Sequence, residues 1–440
     1  MTEQMNVPKL RFGEFDTQWK PIPLGEVTSY LKGFAFKSED YLSSGQADSR
    51  LIRVSDLSSA SVKLDNQKVF LPPELVASST KYKLQDDDVL ITTVGSKPEL
   101  RESAVGRAIY INNAHGYLNQ NLLIMRTKGE QSPKFIFSQL NTPRYINHIT
   151  NIQRGNANQS NITVVDLFEY RVSTTSISEQ QKIASFLSKV DEKIALLREK
   201  KDKLTEYKKG VMQQLFDGKW EKQDRQLTFI PPSLRFKADD GSEFPDWEEK
   251  ALIELAAQRF SNGVFNDPKR IGKGYRLINV KDMYSGNFID TSALSLLDLS
   301  EKEFSNNQVK YGDIFFTRSS LVPSGIAYSN VNLSNDNDIT YDGHLIKFSP
   351  KLDMISPYYF ANYLRSHSSR KSLISRGKQS TMTTIGQEDI KDIRFLIPSL
   401  EEQIKIANFL SAIDQKVDLT NSELEKAKEW KKGLLQQMFV

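Results

Sequence analysis

The chain has 440 residues, 38% hydrophobic and 26% charged, a composition that suits two or three folded soluble domains and excludes a largely disordered chain. No apolar run reaches bilayer-spanning length, the polar start does not read as a signal peptide, and the absence of cysteine excludes disulfides, thiolate nucleophiles and Cys-based zinc sites and fits a reducing cytoplasm. Four histidines without helical ligand spacing argue against a metal site, and a net charge of +4 leaves nucleic-acid binding to local clusters of Lys and Arg.

The first element is an opening peptide, Pro8-Lys9-Leu10-Arg11-Phe12, with Trp19 shortly after it. A mixed α and β region follows. Runs rich in Val, Ile and Leu predict strands at Asp88–Val94, Arg107–Ile111 and Asn121–Arg126, and Asp86-Asp87-Asp88 marks a turn before the first of them. Pro133–Leu140 reads as a helix. Between these elements lie polar stretches: Gly95-Ser96-Lys97 through Arg101 and Arg107, then Asn119-Gln120-Asn121, then Arg154-Gly155-Asn156-Ala157-Asn158-Gln159-Ser160-Asn161. Arg and Lys can meet phosphate or guanine, and Asn and Gln can bond an adenine edge. Lys97, Arg101, Arg107, Asn119, Gln120, Arg154, Asn156, Asn158 and Gln159 are therefore the candidate DNA contacts of this half. The same residue types also build ordinary solvated loops.

At Ser176 the pattern turns helical, with Ser176 and Glu179 spaced as a capping box. Ile183, Leu187, Val190, Ile194, Leu197, Leu204, Val211 and Leu215 step by fours and threes or their sum, the period of a coiled-coil seam, with Lys201 and Lys208 interrupting it. At roughly 1.5 Å per residue this helix is a rod of about 58 Å.

After a linker, 218–233, the chain repeats itself. Pro232-Ser233-Leu234-Arg235-Phe236 echoes the opening peptide and Trp247 echoes Trp19; Leu277–Met283 echoes Leu51–Leu57. Strands are predicted at Asp313–Thr317, Gly325–Tyr328 and His344–Phe348, and a helix at Pro357–Arg365. Arg318-Ser319-Ser320 and Arg376-Gly377-Lys378-Gln379-Ser380-Thr381 are the polar counterparts, giving Arg318, Ser319, Arg376, Lys378, Gln379 and Ser380 as candidate DNA contacts. A second helix opens at Ser399 and Glu402 after Pro398, and its seam runs Ile406, Leu410, Ile413, Val417, Leu424, Leu434 and Met438, with Lys431 interrupting. Residues 178–216 align with 401–439 without a gap, and about half of the pairs are identical.

The architecture is thus α+β, with a first domain at 1–175, a long helix at 176–217, the linker, a second domain at 234–398 and a second long helix at 399–440. Likeness extends to polar positions such as Gln180/Gln403 and Gln213-Gln214/Gln436-Gln437, which suggests one partner surface docking twice. The simplest arrangement pairs the two helices antiparallel, with pseudo-twofold symmetry.

Catalytic chemistry is not evident. No phosphate-binding GxxxxGK[ST] loop, [DN]PP[YF] motif or glycine-rich S-adenosylmethionine fingerprint occurs, and no catalytic or metal-binding residue is assigned. Pro245-Asp246 with Glu248-Glu249-Lys250 loosely matches a nuclease pattern, but the carboxylates are crowded beside Trp247 instead of converging from separate elements. A self-sufficient nuclease and a coiled-coil adaptor without a DNA role stay open as alternatives.

Two variable domains, each followed by a near-duplicate helix, with PKLRF…W openings, resemble the specificity subunits of type I restriction–modification enzymes. The most specific marks are Glu179-Gln180-Gln181-Lys182-Ile183-Ala184 with Phe186-Leu187 and Asp191, and Glu402-Gln403-Ile404-Lys405-Ile406-Ala407 with Phe409-Leu410 and Asp414. The resemblance implies a non-catalytic subunit whose two target-recognition domains each read half of a bipartite, asymmetric double-stranded DNA target. It implies helices that set the spacer and dock two methyltransferase subunits, joined in the restriction complex by two motor–nuclease subunits. It places S-adenosylmethionine, ATP and Mg2+ on those partners, with no cofactor on this chain. The expected setting is the cytoplasm of a bacterium or archaeon, at the nucleoid.

Overall fold

The computed structural model describes residues 7–439, apart from 44–46, 59–60, 64–65, 99–103, 114, 156–158, 224–225 and 380–381 and the side chains of 219–228 and 379. The chain forms two compact units, one of residues 1–198 with 422–440 and the other of residues 199–421. Each unit holds one mixed α/β region, half of the first long helix (Ile177–Phe216) and half of the second (Leu400–Met438). Among the described residues no helix is long and apolar enough to cross a membrane.

The two units contain the same four sheets. In the first, an antiparallel sheet runs Thr28–Lys32, Leu122–Thr127, Val89–Thr92, Ala108–Tyr110; in the second, Ser261–Asn262, Leu345–Phe348, Ile314–Thr317, Ser329–Val331. Their central strands are covered on both faces, which is why they read as unbroken apolar runs. Val89 and Ile91 pack into one cluster with Phe135, Ile136 and Tyr145, while Leu90 packs into another with Ile109 and Ile124. Ile314 and Phe316 likewise face one core and Phe315 another. A mixed three-stranded sheet (Val69–Phe70, Arg50–Ile52, Tyr117–Leu118; Ser295–Leu297, Ile271–Ile278, Ile339–Tyr341) stands beside it in each unit. A two-stranded sheet closes each region just before its long helix, Lys20–Pro23 with Arg171–Thr174 and Glu248–Ala251 with Arg394–Ile397.

The turn at Asp86–Asp88 is present, with Asp87 left-handed at φ 70° where the second unit has Gly312 at 86°. The strand expected at Gly325–Tyr328 lies instead at Ser329–Val331, because Ala327 is left-handed at φ 47° and breaks extended pairing there. The segment 218–233, expected as a linker, carries a hairpin of Lys219–Gln223 with Gln226–Ile230.

In the first unit the start of the first long helix packs on the end of the second: Ile183, Leu187 and Val190 share a core with Leu434, Leu435 and Met438. In the second unit Val211, Leu215 and Phe216 share a core with Ile406, Leu410 and Ile413. The helices therefore pair antiparallel. Ile194, Leu197, Leu204 and Val417 are half-buried and Leu424 is buried. The interrupting lysines are each paired: Lys201 donates to Asn421 Oδ1 (2.7 Å), Lys208 meets Asp414 (2.6 Å) and Lys431 meets Asp191 (2.5 Å).

Glu179 and Glu402 do not complete capping boxes. Their N–H groups donate to Ser176 and Ser399, but both carboxylates turn inward and are fully buried. Glu179 accepts from Arg11 Nε and Nη2 (both 2.7 Å) and from Trp19 Nε1 (3.2 Å); Glu402 accepts from Arg235 (3.0 and 2.8 Å) and Trp247 (3.3 Å). This explains the paired LRF…W openings: each fastens its peptide to the start of a long helix. Leu10 N–H then bonds the Gln437 carbonyl (2.9 Å), and Leu234 N–H the Gln214 carbonyl (3.2 Å). Gln180 and Gln403 are buried as well, and belong to no exposed docking face. Gln180 accepts from Ser132 N–H and Gln403 from Ser356 N–H, which anchors the helix that follows each central sheet. Gln213, Gln214, Gln436 and Gln437 are exposed.

Candidate nucleic-acid interface

The three polar stretches of the first half, far apart in sequence, are joined by backbone hydrogen bonds at one edge of the first unit. Thr93, just past the central strand, donates to the Asn121 carbonyl (2.9 Å) and accepts from Ile162 (3.1 Å). Val94–Gly95 then pairs with Ser160–Asn161, which pairs with Arg154–Gly155. The turn at 119–121, the loop after the central strand and the hairpin at 154–161 thus share one small sheet and its border.

The second unit repeats this joint. Arg318 donates to the His344 carbonyl (3.0 Å) and accepts from Ile385 (2.9 Å). Ser319–Ser320 pairs with Thr383–Thr384, which pairs with Lys378–Gln379. The ladders align Arg154 with Lys378, not with Arg376 as the shared Arg-Gly suggests. Gly155 is left-handed (φ 122°) inside its hairpin, whereas Gly377 follows the helix His367–Ile374 and donates to the Ile374 carbonyl (3.0 Å).

Lys97, Gln120, Arg154, Gln159, Arg318, Arg376 and Lys378 are exposed on these segments, and Ser319 is half-buried. Arg107 and Asn119 are buried, at 9% and 7% exposure. Asn119 Oδ1 accepts from the Gln120 N–H (2.7 Å), so it shapes the turn that presents Gln120. Arg101, Asn156, Asn158 and Ser380 lie outside the described residues, as does the Gln379 side chain.

Two of the exposed cations are tethered alike. Arg154 meets Asp166 at 2.8 Å and Lys378 meets Asp389 at 2.7 Å, in each case an acid of the short helix that follows. The hydrogen bond from Lys378 holds the Asp389 carboxyl below the usual range. With side chains 65% and 73% exposed, both cations stay open to solvent, so a phosphate can compete for them.

Sequence reasoning missed one further part of this edge. A Cβ on Gly33 would lie 1.9 Å from the Asn119 carbonyl oxygen, and one on Gly263 would lie 2.0 Å from that of Tyr341. Only glycine lets these loops cross so close to the strand that leads into each turn. Each loop then presents an aromatic ring, Phe34 at 46% exposure and Phe265 at 76%. The available signal was a Gly within an otherwise β-like stretch, followed by an aromatic that no core pattern claims.

The nuclease-like string is engaged otherwise: Glu248 pairs with Lys250 (2.7 Å) and Glu249 with Arg394 (2.9 Å) along the closing two-stranded sheet. Among the described residues no three His, Asp or Glu side chains cluster to hold a metal.

Comparison with known proteins adds an independent line. The family profile described as type I restriction modification DNA specificity domain matches residues 17–206 and 245–429. A putative type I restriction enzyme MjaX specificity subunit from Methanocaldococcus jannaschii is 22% identical, over 98% of this chain and 95% of its own. The type I restriction enzyme EcoBI specificity subunit from Escherichia coli is 22% identical, over 93% and 82%. A crystal structure of a type I restriction–modification S subunit from M. genitalium matches with a TM-score of 0.56 at 16% identity, covering 99% of both chains, which supports the fold.

Proposed function

Given that the chain belongs to the type I restriction modification DNA specificity family, we propose that it is the non-catalytic subunit that recognises DNA sequence for such a system. Each unit applies the edge described above to one half of a bipartite, asymmetric target. Cations tethered at that edge meet phosphates, and Gln120, Gln159 and Arg318, whose exposure supports the reading, bond base edges. The long helices set the spacer between half-sites and dock two methyltransferase subunits, to which two motor–nuclease subunits are added for restriction. S-adenosylmethionine, ATP and Mg2+ act on those partners.

One observation carries this reading. Two copies of a single fold keep the same backbone joint, Thr93/Asn121/Ile162 and Arg318/His344/Ile385, while the side chains exposed there differ. A duplicated scaffold with divergent edges fits two different half-sites.

The test exchanges residues 20–170 for those of another family member, in the complex with its methyltransferase partner, and maps methylated adenines across host DNA. One half-site changes and the other stays. A change in both, or in neither, refutes the assignment of one half-site to each unit.

A further inference from the structure

Resting on that reading, we propose that Leu321 is a sequence-reading residue of the second unit, packing on the 5-methyl group of a thymine in its half-site. Leu321 is 83% exposed and its neighbour Val322 56%, so neither serves the core. A lone exposed apolar residue is ordinary on a protein surface. This one differs in three respects.

The first is that its loop is braced from behind. Arg370 donates to the carbonyls of Ser324 and Ile326 (both 2.8 Å) and of Ala327. Thr317 Oγ1 (2.8 Å) and Tyr284 Oη (3.3 Å) both donate to the Gly325 carbonyl. The Val322 N–H donates to Ser320 Oγ (3.2 Å) and the Gly325 N–H to the Val322 carbonyl (3.0 Å). Gly325 passes so near Ser320 that a Cβ would lie 2.2 Å from its Oγ. A tip held this way presents its side chain at little ordering cost on binding.

The second is its place. Leu321 directly follows Ser319–Ser320, a strand of the proposed DNA edge, and Arg318, an exposed cation of the same edge. The third is the contrast between units. The ladders align Ser319–Ser320 with Val94–Gly95, so Leu321 and Val322 occupy the positions of Ser96 and Lys97. The fold does not require an apolar residue there, and the two units differ in chemistry where they would read different sequences. In the major groove the one apolar group on a base edge is the thymine C5 methyl, which gives an apolar tip among cations a defined counterpart.

The experiment uses the chain assembled with its methyltransferase partner. Methylation patterns of wild type and Leu321→Ala are mapped in host DNA, and affinities are measured on target duplexes in which each thymine of the affected half-site is replaced in turn by deoxyuridine. The variant is expected to relax one position of one half-site. At that position deoxyuridine weakens wild-type binding about four-fold, the worth of one buried methyl group, and leaves the variant unaffected. An unchanged pattern, or a variant weakened equally on every sequence as a general wedge would be, overturns the proposal while sequence-specific binding by wild type keeps the underlying reading. Absence of salt-sensitive DNA binding by the wild-type complex overturns both.

Discussion

Replacing Glu179 by Gln takes one charge from the joint that fastens the opening peptide to the first long helix. Its buried carboxylate receives Arg11 through two bonds of 2.7 Å, Trp19 at 3.2 Å and Thr175 at 2.5 Å. Glutamine keeps the shape but offers a single acceptor oxygen and turns an NH2 toward a donor. Hydrogen bonds to charged groups are worth about 1.5–3 kcal/mol, and stranding one member of a buried pair costs about 3–5 kcal/mol. Because the Arg11 side chain keeps 13% exposure and regains some solvent, the expected cost of Glu179→Gln is about 2–3 kcal/mol. Arg11→Ala leaves the carboxylate with neutral donors alone and costs about 3–5 kcal/mol, whereas changing both residues to Met recovers only part of the loss, because the buried Trp19 N–H then lacks its acceptor.

The pH dependence has a defined sign. Burial by itself raises the Glu179 pKa, but the bonds from Arg11, Thr175 and Trp19 outweigh it and hold the group below the usual glutamate value. Its stabilisation is therefore present above the unfolded pKa of about 4.3 and is lost as pH falls through the lower folded value. Wild type weakens on acidification below that range, and Glu179→Gln shows less of the loss. Native-state hydrogen exchange is the assay, since a chain of two units need not unfold in one step. Protection should fall across Lys20–Pro23 and the first turns of Ile177–Phe216 while the second unit is unchanged. A cost under about 0.5 kcal/mol, the usual range for an inert surface change, or an equal loss in the second unit, refutes the reasoning.

Three further outcomes are expected. Lys208→Met leaves the Asp414 carboxylate, 7% exposed, with the neutral Tyr358 hydroxyl in place of a cation and costs about 2–3 kcal/mol, whereas the equivalent Lys431→Met leaves Asp191 at 47% exposure and costs under about 0.5 kcal/mol; urea titration of both variants checks the contrast. Gly263→Ala sets a Cβ 2.0 Å from a backbone oxygen that no rotamer can move and costs about 1–3 kcal/mol in thermal unfolding, while Gly13→Ala, with nothing within 4 Å, is near neutral. Seven residues added to both long helices, after Arg198 and after Asn421, lengthen the helical connection by about 10 Å and should widen the spacer by about three base pairs with both half-sites kept, as methylation mapping would reveal.

The sequence made the duplication and the long helices plain, because a gapless repeat and a 3.5-residue period are local, additive signals. The strands of the central sheets were legible for the same reason, except at the edge, where Ala327 adopts a conformation that its side chain does not announce. What stayed hidden depended on partners far along the chain. Glu179 sits at capping-box spacing, yet its carboxylate is taken by Arg11 and Trp19, 168 and 160 residues away. Gln180 looked like a docking residue because its likeness to Gln403 was visible and its burial was not. The candidate contacts could be named one by one, but their convergence on one edge rests on backbone bonds such as Thr93 to Asn121, which carry no side-chain signature.

The sharing of both long helices between the units has a consequence for how the protein is made. The second unit, residues 199–421, is one unbroken stretch and can close as soon as it leaves the ribosome. The first must wait, since Leu434, Leu435 and Met438, about 250 residues further along the chain, complete the core around Ile183 and Leu187. At about 5–20 residues per second the gap between these partners takes on the order of ten to fifty seconds to translate. Throughout that time an apolar stripe on the nascent chain stays uncovered, so the first unit, begun before the second, is completed only after it.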